Sequence, residues 1–226
     1  MSPVAPTLDV ESVLLADTEW VIGIDEVGRG AIAGPVAVGA CAIRRDELES
    51  GFPEGLRDSK LLTEKARERL APASAEWAFA SAVGWSTAVE IDEFGITKCL
   101  AAAAVRALSE LWQAGVPVDR ATVLLDGSHD WLSPGLTQPL RVMVQPKADR
   151  DCASVAAASV VAKVARDARM RQLALAAPAY AAFGWERNKG YGSEAHRDAI
   201  RALGPSSEHR RSWLGKILDA LDTGRA

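Results

Sequence analysis

Runs and alternations of apolar residues divide the chain into strands and helices. Apolar, β-branched stretches predict strands over residues 21–25 and 36–43, and a third over 77–85. The connections between these three strands are compatible with an antiparallel meander. Two later short apolar stretches, 121–125 and 141–144, predict two more strands.

Helical patterns lie between and after these strands. The pattern predicts a short helix after the N-cap Thr63, a long helix stopped by Gly115, and a helix whose Ala and Ser residues allow it to lie close to a sheet. With two later helices, the predicted ranges are 63–70, 91–113, 153–175, 193–203 and 212–221. A meander followed by alternating strands and helices is typical of a mixed α/β sheet with helices on its faces.

The composition favours a globular protein. The chain has 226 residues, 48% of them hydrophobic, which is enough for one large domain. Its apolar runs are shorter than the ~18 residues of a membrane span. Residues 1–17 lack the basic start of a signal peptide, and we expect a cytoplasmic protein. The three widely spaced cysteines, Cys41, Cys99 and Cys152, predict buried free thiols and no disulfide framework.

Charge is unevenly distributed along the chain. The formal net charge is −4, yet residues 163–216 contain eleven Lys or Arg and five Asp or Glu. A basic segment beside an acidic body fits a surface that follows nucleic-acid phosphates. An ordinary surface with uneven charge is the open alternative.

Four acidic residues stand at the ends of predicted strands. Asp25 and Glu26 close the first strand, Asp126 closes the fourth, and Asp149 follows the fifth. Each alone also fits a turn or helix cap, as the sequence Asp126-Gly127 does. Together, acids at the ends of neighbouring strands would repel one another unless cations neutralise them. Mg²⁺ or Mn²⁺ prefers oxygen ligands, and two ions ~3.5–4 Å apart can hold the attacking and leaving oxygens of a phosphodiester.

The glycine-rich loop after the first strand allows two interpretations. The spacing Gly28-x-Gly30 with Gly34 is one residue too long for a dinucleotide-binding fingerprint, and Pro35 leads into a strand instead of a helix. The alternative is a loop whose backbone closely approaches a phosphate, with Arg29 between two glycines that lack a Cβ.

Six sequence blocks, in order along the chain, resemble those of the ribonuclease HII family. They are Gly-Ile-Asp-Glu-Val-Gly-Arg-Gly at 23–30, Asp-Ser-Lys-Leu-Leu at 58–62, Leu-Asp-Gly at 125–127, Lys-Ala-Asp at 147–149 with the helix 154–167, Asn-Lys-Gly-Tyr-Gly-Ser at 188–193, and His-Arg-Arg-Ser at 209–212. Ala148 stands where the family often has Gly, and Trp213 where Phe is common. We expect no additional N-terminal domain before these blocks, and therefore ribonuclease HII instead of the related ribonuclease HIII.

The resemblance implies a ribonuclease H-like fold with a five-stranded mixed sheet and a small helical C-terminal extension. It divides the chain into an N-terminal extension (1–19), a catalytic domain (20–177) and a C-terminal helical cap (178–226). It also implies a site in which four carboxylates hold two Mn²⁺ or Mg²⁺ ions. By motif position, the catalytic and metal-binding residues are Asp25, Glu26, Asp126 and Asp149.

The same resemblance implies the substrate and its contacts. The family's Gly-Arg-Gly loop reads the ribose 2′-hydroxyl through its backbone, its tyrosine packs on the sugar of the following deoxynucleotide, and other positions lie near phosphates. These substrate contacts fall at Gly28, Arg29, Gly30, Ser59, Lys60, Lys163 and Tyr191. The expected activity is cleavage on the 5′ side of ribonucleotides in RNA–DNA hybrids and of single ribonucleotides in duplex DNA. The products carry a 3′-hydroxyl and a 5′-phosphate, as needed in replication and ribonucleotide repair, and we expect a monomer.

Several other polar residues have plainer interpretations. His129, His196 and His209 lack the spacing of zinc ligands. His196 is expected on a helix surface after the Ser193 cap, and His209 as a structural or phosphate-side group.

One helical face carries a possible phosphate contact. Lys163 shares that face with Ser159 and Arg166, which predicts a stripe facing phosphates.

Two other classes of function fit part of the sequence. A catalytically inert nucleic-acid-binding module would gain nothing from four acids beside phosphates. A nucleotide-binding oxidoreductase would need an acidic residue ~20 residues after its glycine loop and a helix in place of Pro35.

Overall fold

The structure, a computed structural model, describes residues 5–222, with side chains through Leu218. Within that span one five-stranded sheet has the order β3–β2–β1–β4–β5. Strands β1 to β3 form an antiparallel meander, while β4 runs parallel to β1 and β5 runs parallel to β4. The strands are β1 (Val21–Val27), β2 (Val36–Ile43), β3 (Ala80–Ser86), β4 (Thr122–Asp126) and β5 (Arg141–Gln145). The predicted mixed α/β sheet is confirmed.

Helices precede, connect and follow the strands. In chain order they are α1 (Asp9–Asp17), α2 (Arg45–Ser50), α3 (Glu64–Trp77), α4 (Ala88–Phe94), α5 (Ile96–Gln113), α6 (Ala148–Asp151), α7 (Ala153–Ala176), α8 (Trp185–Asn188), α9 (Glu194–Leu203) and α10 (Gly215–Asp222). Short 3-10 turns lie at Ser59–Leu61, Val118–Arg120, Ser133–Gly135, Pro178–Phe183 and Arg211–Trp213.

Three predicted boundaries are wrong. Helix α3 starts after its Thr63 cap as expected but continues through Pro72 to Trp77, so β3 begins only at Ala80. The single helix predicted over 91–113 is two helices, because Gly95 has a φ of 81° and interrupts the helical path. The helix predicted over 212–221 is a 3-10 turn followed by α10.

Small residues bring the helices into backbone contact with the sheet. A Cβ on Gly23 of β1 would lie 2.4 Å from the carbonyl carbon of Ser154 in α7. A Cβ on Gly39 of β2 would lie 2.3 Å from the carbonyl oxygen of Ala158. On the opposite face, Gly84 of β3 leaves equally little room beside α5. The small-residue helix predicted over 153–175 therefore lies close to the sheet, as expected.

The N-terminal segment caps helix α7. One oxygen of the buried Glu11 carboxylate accepts hydrogen bonds from the Ser154 backbone N–H and hydroxyl, both at 2.8 Å. Burial raises the pKa of Glu11. Thr7 pairs with Cys152 in an isolated bridge. Residues 1–4 of the predicted extension lie outside the described residues.

The chain beyond α7 packs on the end of that helix. Trp185, Phe183 and Ile200 form a buried cluster with Met170 and Leu173 of α7. Residues 223–226 of the predicted cap lie outside the described part. The three cysteines are buried and free, as predicted. In the described span, no helix is both long and apolar enough to cross a bilayer.

Candidate active site

The ends of β1 and β4 bring the predicted carboxylates together. Ile24 pairs with Leu125 in the parallel register, so the next residues, Asp25 and Asp126, end neighbouring strands. Strand β5 lies beside β4 and leads into α6, where the backbone N–H of Asp149 donates to Asp126 Oδ1 at 3.3 Å. The topology thus brings together acids that are up to 124 residues apart in the sequence, at the ends of β1 and β4 and the start of α6. We call this end of the sheet, with Asp25, Glu26, Asp126 and Asp149, the carboxylate edge.

Repulsion and burial both act on these acids. Asp25 is 4% exposed and Asp149 is 5% exposed. Burial raises the pKa of Asp25 well above its ordinary value, the charges of Glu26, Asp126 and Asp149 raise it further, and a hydrogen bond with Ser159 partly opposes them. The pKa values of Glu26 and Asp126 are also raised, mainly by burial. The site therefore carries an excess of negative charge that favours a bound cation.

The ammonium group of Lys60 brings a positive charge to these acids. Its ammonium group lies 2.8 Å from Asp149 Oδ2 and 4.0 Å from Asp58 Oδ1. Burial by itself lowers the pKa of Lys60, but the hydrogen bond to Asp149 and the surrounding carboxylates raise it overall. Lys60 therefore partly neutralises the acids.

Ser59 joins the same edge through helix α7. Its hydroxyl lies 2.9 Å from the Ser159 hydroxyl, which in turn bonds Asp25. The second sequence block thus packs directly behind the carboxylates.

The donor set fits Mg²⁺ or Mn²⁺. All four groups offer carboxylate oxygens, which these ions prefer. Among the residues that the structure describes, no three acidic, histidine or cysteine side chains already surround one ion position. Divalent ions held by these carboxylates would offset the mutual repulsion of their charges.

The glycine loop begins beside the acids. Gly28 has a φ of 84°, and a Cβ there would lie 2.0 Å from Arg166 Nε. Gly30 is exposed, with open space around its Cα. The side chain of Arg29 reaches back to Glu26, with Nη1 3.5 Å from Oε1. The exposed part of the loop therefore borders the carboxylate edge.

Tyr191 lies on a segment that is bonded to this loop. The carbonyl oxygen of Gly190 accepts from the backbone N–H groups of Ile32 and Ala33 at 2.9 and 3.1 Å. The Tyr191 ring is 38% exposed and lies 5.5 Å from the Arg166 guanidinium. The loop and the tyrosine therefore form one hydrogen-bonded surface.

The phosphate-facing stripe predicted on α7 is wrong. Arg166 is fully buried and donates to backbone carbonyls, and Ser159 is buried behind Asp25. Lys163 keeps a partly exposed ammonium group, which lies 2.8 Å from Asp167 Oδ1. The spacing of these residues predicted that they share one face of α7. It could not show that other segments of the chain cover most of that face.

His196 is buried, not on the helix surface as predicted. Its Nδ1 lies 2.9 Å from the Tyr191 carbonyl, and its Nε2 lies 3.0 Å from both Trp185 Nε1 and His209 Nε2. His209 Nδ1 accepts from the Ser206 backbone N–H at 2.9 Å. These contacts require neutral imidazoles, with protons on His196 Nδ1 and His209 Nε2.

This histidine pair tethers the Tyr191 segment to the C-terminal region, a role that the sequence interpretation missed. The spacing of His196 and the buried Ile200, four residues apart, was the available signal that both share an inward face of α9.

Comparison with known proteins gives a consistent assignment. The family model for ribonuclease HII matches residues 22–216. Ribonuclease HII of Streptomyces griseus subsp. griseus is 46% identical over 220 residues, covering 96% of this chain and 86% of that protein. The solved ribonuclease H2 from Pyrococcus horikoshii OT3 has a TM-score of 0.71 at 28% identity, covering 90% of this chain and 99% of that one. Bst-RNase HIII in complex with Mn²⁺ has a TM-score of 0.72 at 28% identity, covering 95% and 74%. The chain belongs to the ribonuclease HII family and is a ribonuclease H-type endoribonuclease.

Proposed function

We propose that this enzyme hydrolyses the phosphodiester on the 5′ side of ribonucleotides, both in RNA–DNA hybrids and at single ribonucleotides embedded in duplex DNA. The products would carry a 3′-hydroxyl and a 5′-phosphate. The observation that supports this proposal most strongly is the convergence of Asp25, Glu26, Asp126 and Asp149 at the edge that also carries the exposed glycine loop.

The carboxylates would hold two divalent ions, Mn²⁺ or Mg²⁺. Such ions, when bound, lower the pKa of a water that attacks in line and stabilise the leaving 3′ oxygen. Asp25 would be the central ligand, because it is almost fully buried at the end of β1, directly beside β4. Lys60 bonds Asp149 in this structure, and we expect its ammonium group to turn to a substrate phosphate when ions neutralise that carboxylate.

Substrate selection would come from the loop and the tyrosine. The backbone of Gly28, Arg29 and Gly30 would contact the ribose 2′-hydroxyl, the group that separates RNA from DNA. Tyr191 would pack on the sugar of the following deoxynucleotide, and its exposure supports that role.

Three polar residues would add phosphate contacts. Ser59, Lys60 and Lys163 would bind phosphates without reading sequence. For Lys163 this requires its ammonium group to share hydrogen bonds between Asp167 and a phosphate.

The cellular setting is part of the same proposal. We infer a cytoplasmic monomer that acts in DNA replication and in the excision of misincorporated ribonucleotides. Residues 20–177 would form the catalytic domain, with residues 1–19 as an N-terminal extension and 178–226 as a helical cap.

The test is cleavage of end-labelled duplex DNA that carries one ribonucleotide, with Mg²⁺, with Mn²⁺ and with chelator. Wild-type enzyme is compared with Asp126→Asn and with Asp130→Asn. Asp130 lies four residues further on and caps the backbone N–H groups of Leu132 and Ser133, which an asparagine oxygen can also do.

The proposal predicts a metal-dependent nick on the 5′ side of the ribonucleotide by the wild type and by Asp130→Asn. Asp126→Asn should lose at least 100-fold in rate while still binding the duplex. Wild-type protein that binds the duplex but leaves it intact with either metal would contradict the proposal.

A further inference from the structure

Two fully buried arginines lie behind the glycine loop. Arg166 and Arg210 are both 0% exposed, and within the described residues neither makes a salt bridge. Burial and, to a smaller extent, the nearby Arg166 charge together lower the pKa of Arg210 to about 9. Burying two guanidinium groups without carboxylates is costly unless their donors are well used. Both guanidinium groups use their donors on backbone carbonyls.

Arg210 binds the loop at both of its ends. Its Nη2 donates to the carbonyl of Gly28 at 2.7 Å, and its Nη1 donates to the carbonyl of Arg29 at 2.9 Å. Its Nε and Nη2 donate to the carbonyl of Gly34 at 3.2 and 3.1 Å. The guanidinium carbon lies over the Trp213 ring, 5.0 Å from its centroid. One side chain thus fixes three carbonyls of a seven-residue loop.

These bonds determine where the loop's N–H groups point. In a trans peptide the C=O and N–H groups point in opposite directions, and the described residues contain no cis peptide. The carbonyls of Gly28 and Arg29 point inward to Arg210, so the N–H groups of Arg29 and Gly30 point outward. In the described part of the chain, no acceptor bonds either N–H group, and both residues are exposed. The loop therefore presents two adjacent free donors at the surface beside the carboxylates.

Arg166 connects the same loop to the tyrosine segment. It donates to the carbonyls of Pro35 and Lys189, both at 2.9 Å, and to that of Ala33 at 3.3 Å. Its charge lies 5.5 Å from the Tyr191 ring. Arg166 therefore fixes the distance between the loop and Tyr191, while Arg210 fixes the direction of the loop's donors.

We propose that Arg210 is a positioning residue for ribose recognition: by holding the Gly28 and Arg29 carbonyls inward, it aims the N–H groups of Arg29 and Gly30 at the 2′-hydroxyl of the substrate. This inference rests on the proposed function, in which the loop reads the ribose. It makes a buried side chain that does not touch substrate a determinant of the preference for RNA over DNA. Lysine cannot replace it, because one ammonium group cannot reach three carbonyls in the geometry of a guanidinium fork.

The test compares Arg210→Lys with the wild type in two assays. The first measures Kd in chelator for duplex DNA with one ribonucleotide and for the same duplex made only of DNA. The second measures kcat/KM on the ribonucleotide duplex. Arg45→Lys is the matched control, because Arg45 also donates to a backbone carbonyl, that of Leu15 at 2.9 Å, but lies next to the opposite end of β2. Melting temperature reports whether each variant is folded.

Arg210→Lys should reduce the binding preference for the ribonucleotide duplex and kcat/KM at least tenfold, with Kd for the DNA duplex within twofold of wild type. Arg45→Lys should match the wild type within twofold throughout. A folded Arg210→Lys that keeps the wild-type preference would overturn the inference, as would equal weakening on both duplexes. If Arg210→Lys does not fold, Arg210→Gln, which keeps a planar donor, is judged by the same criteria. Wild-type protein with neither cleavage nor preference would instead refute the proposed function.

Discussion

The buried histidine pair makes stability depend on pH in a defined direction. His209 is 1% exposed, and its Nδ1 already accepts the Ser206 N–H, so a second proton has no acceptor there. Burial, together with the neighbouring His196 and the charge of Arg211, lowers the pKa of His209 to about 4 from an ordinary 6.5. The unfolded chain takes up this proton as the pH falls through 6.5, while the folded chain does not until about pH 4. Acid in that window therefore favours unfolding.

The size of the effect follows from the two pKa values. One unit of pKa difference corresponds to about 1.4 kcal/mol, so at pH 5 the unfolded state gains about 2 kcal/mol from protonating His209, against almost nothing at pH 7.5. The variant His209→Asn removes this titration but retains an oxygen that can accept from Ser206. Carboxylates with raised pKa values, such as Asp25, act in the opposite direction, since the folded state binds their protons more tightly. The comparison must therefore be a difference between two proteins.

The assay is urea unfolding of both proteins at pH 7.5, 6 and 5, at constant ionic strength and in chelator. Between pH 7.5 and 5 the wild type should lose about 2 kcal/mol more unfolding free energy than His209→Asn does. A difference between the two proteins that stays constant across this range would refute the depressed pKa and, with it, the neutral imidazole pair.

Two further substitutions test the packing. Gly23→Ala places a Cβ 2.4 Å from the Ser154 carbonyl carbon. Since neither backbone can easily move, the substitution should lower the free energy of unfolding in urea by about 2–3 kcal/mol. An unchanged urea midpoint would contradict the close contact of α7 with β1. Asp92→Ala removes acceptors for the backbone N–H groups of Arg211 and Ser212, at 2.8 and 3.0 Å, and should cost about 1–2 kcal/mol, whereas Asp92→Asn should recover part of that loss.

Strands β2 and β4 could be predicted because each is an almost continuous apolar run next to turn residues. The runs over 36–43 and 121–125 became β2 and β4 with bounds shifted by no more than one residue. The boundary between α3 and β3 could not be placed in the same way, because Trp77 and Ala78 are apolar and fit either element. Helix α3 ends where the chain enters β3 and pairs with β2, and the local sequence pattern does not show that pairing.

The carboxylate edge was predictable for a different reason. Acids at strand ends converge when the strands pair in one sheet, and the resemblance to the ribonuclease HII family implied a fold in which these acids form one site. The buried arginines were not predictable, since the carbonyls that Arg210 binds lie 176 to 182 residues away in the sequence and carry no side-chain signal. His196 was misplaced because a polar residue just after a helix cap usually faces solvent, and its partner His209 lies in another segment.

The claim that the four carboxylates form the metal site is tested most directly by locating Mn²⁺ in crystals of the wild-type protein with an RNA–DNA hybrid whose scissile phosphate resists hydrolysis. The account predicts two anomalous-scattering peaks about 3.5–4 Å apart, bounded by Asp25, Glu26, Asp126 and Asp149, with the Lys60 ammonium displaced from Asp149. Hybrid bound at the loop with no Mn²⁺ among these carboxylates, or with the ions held elsewhere, would contradict it.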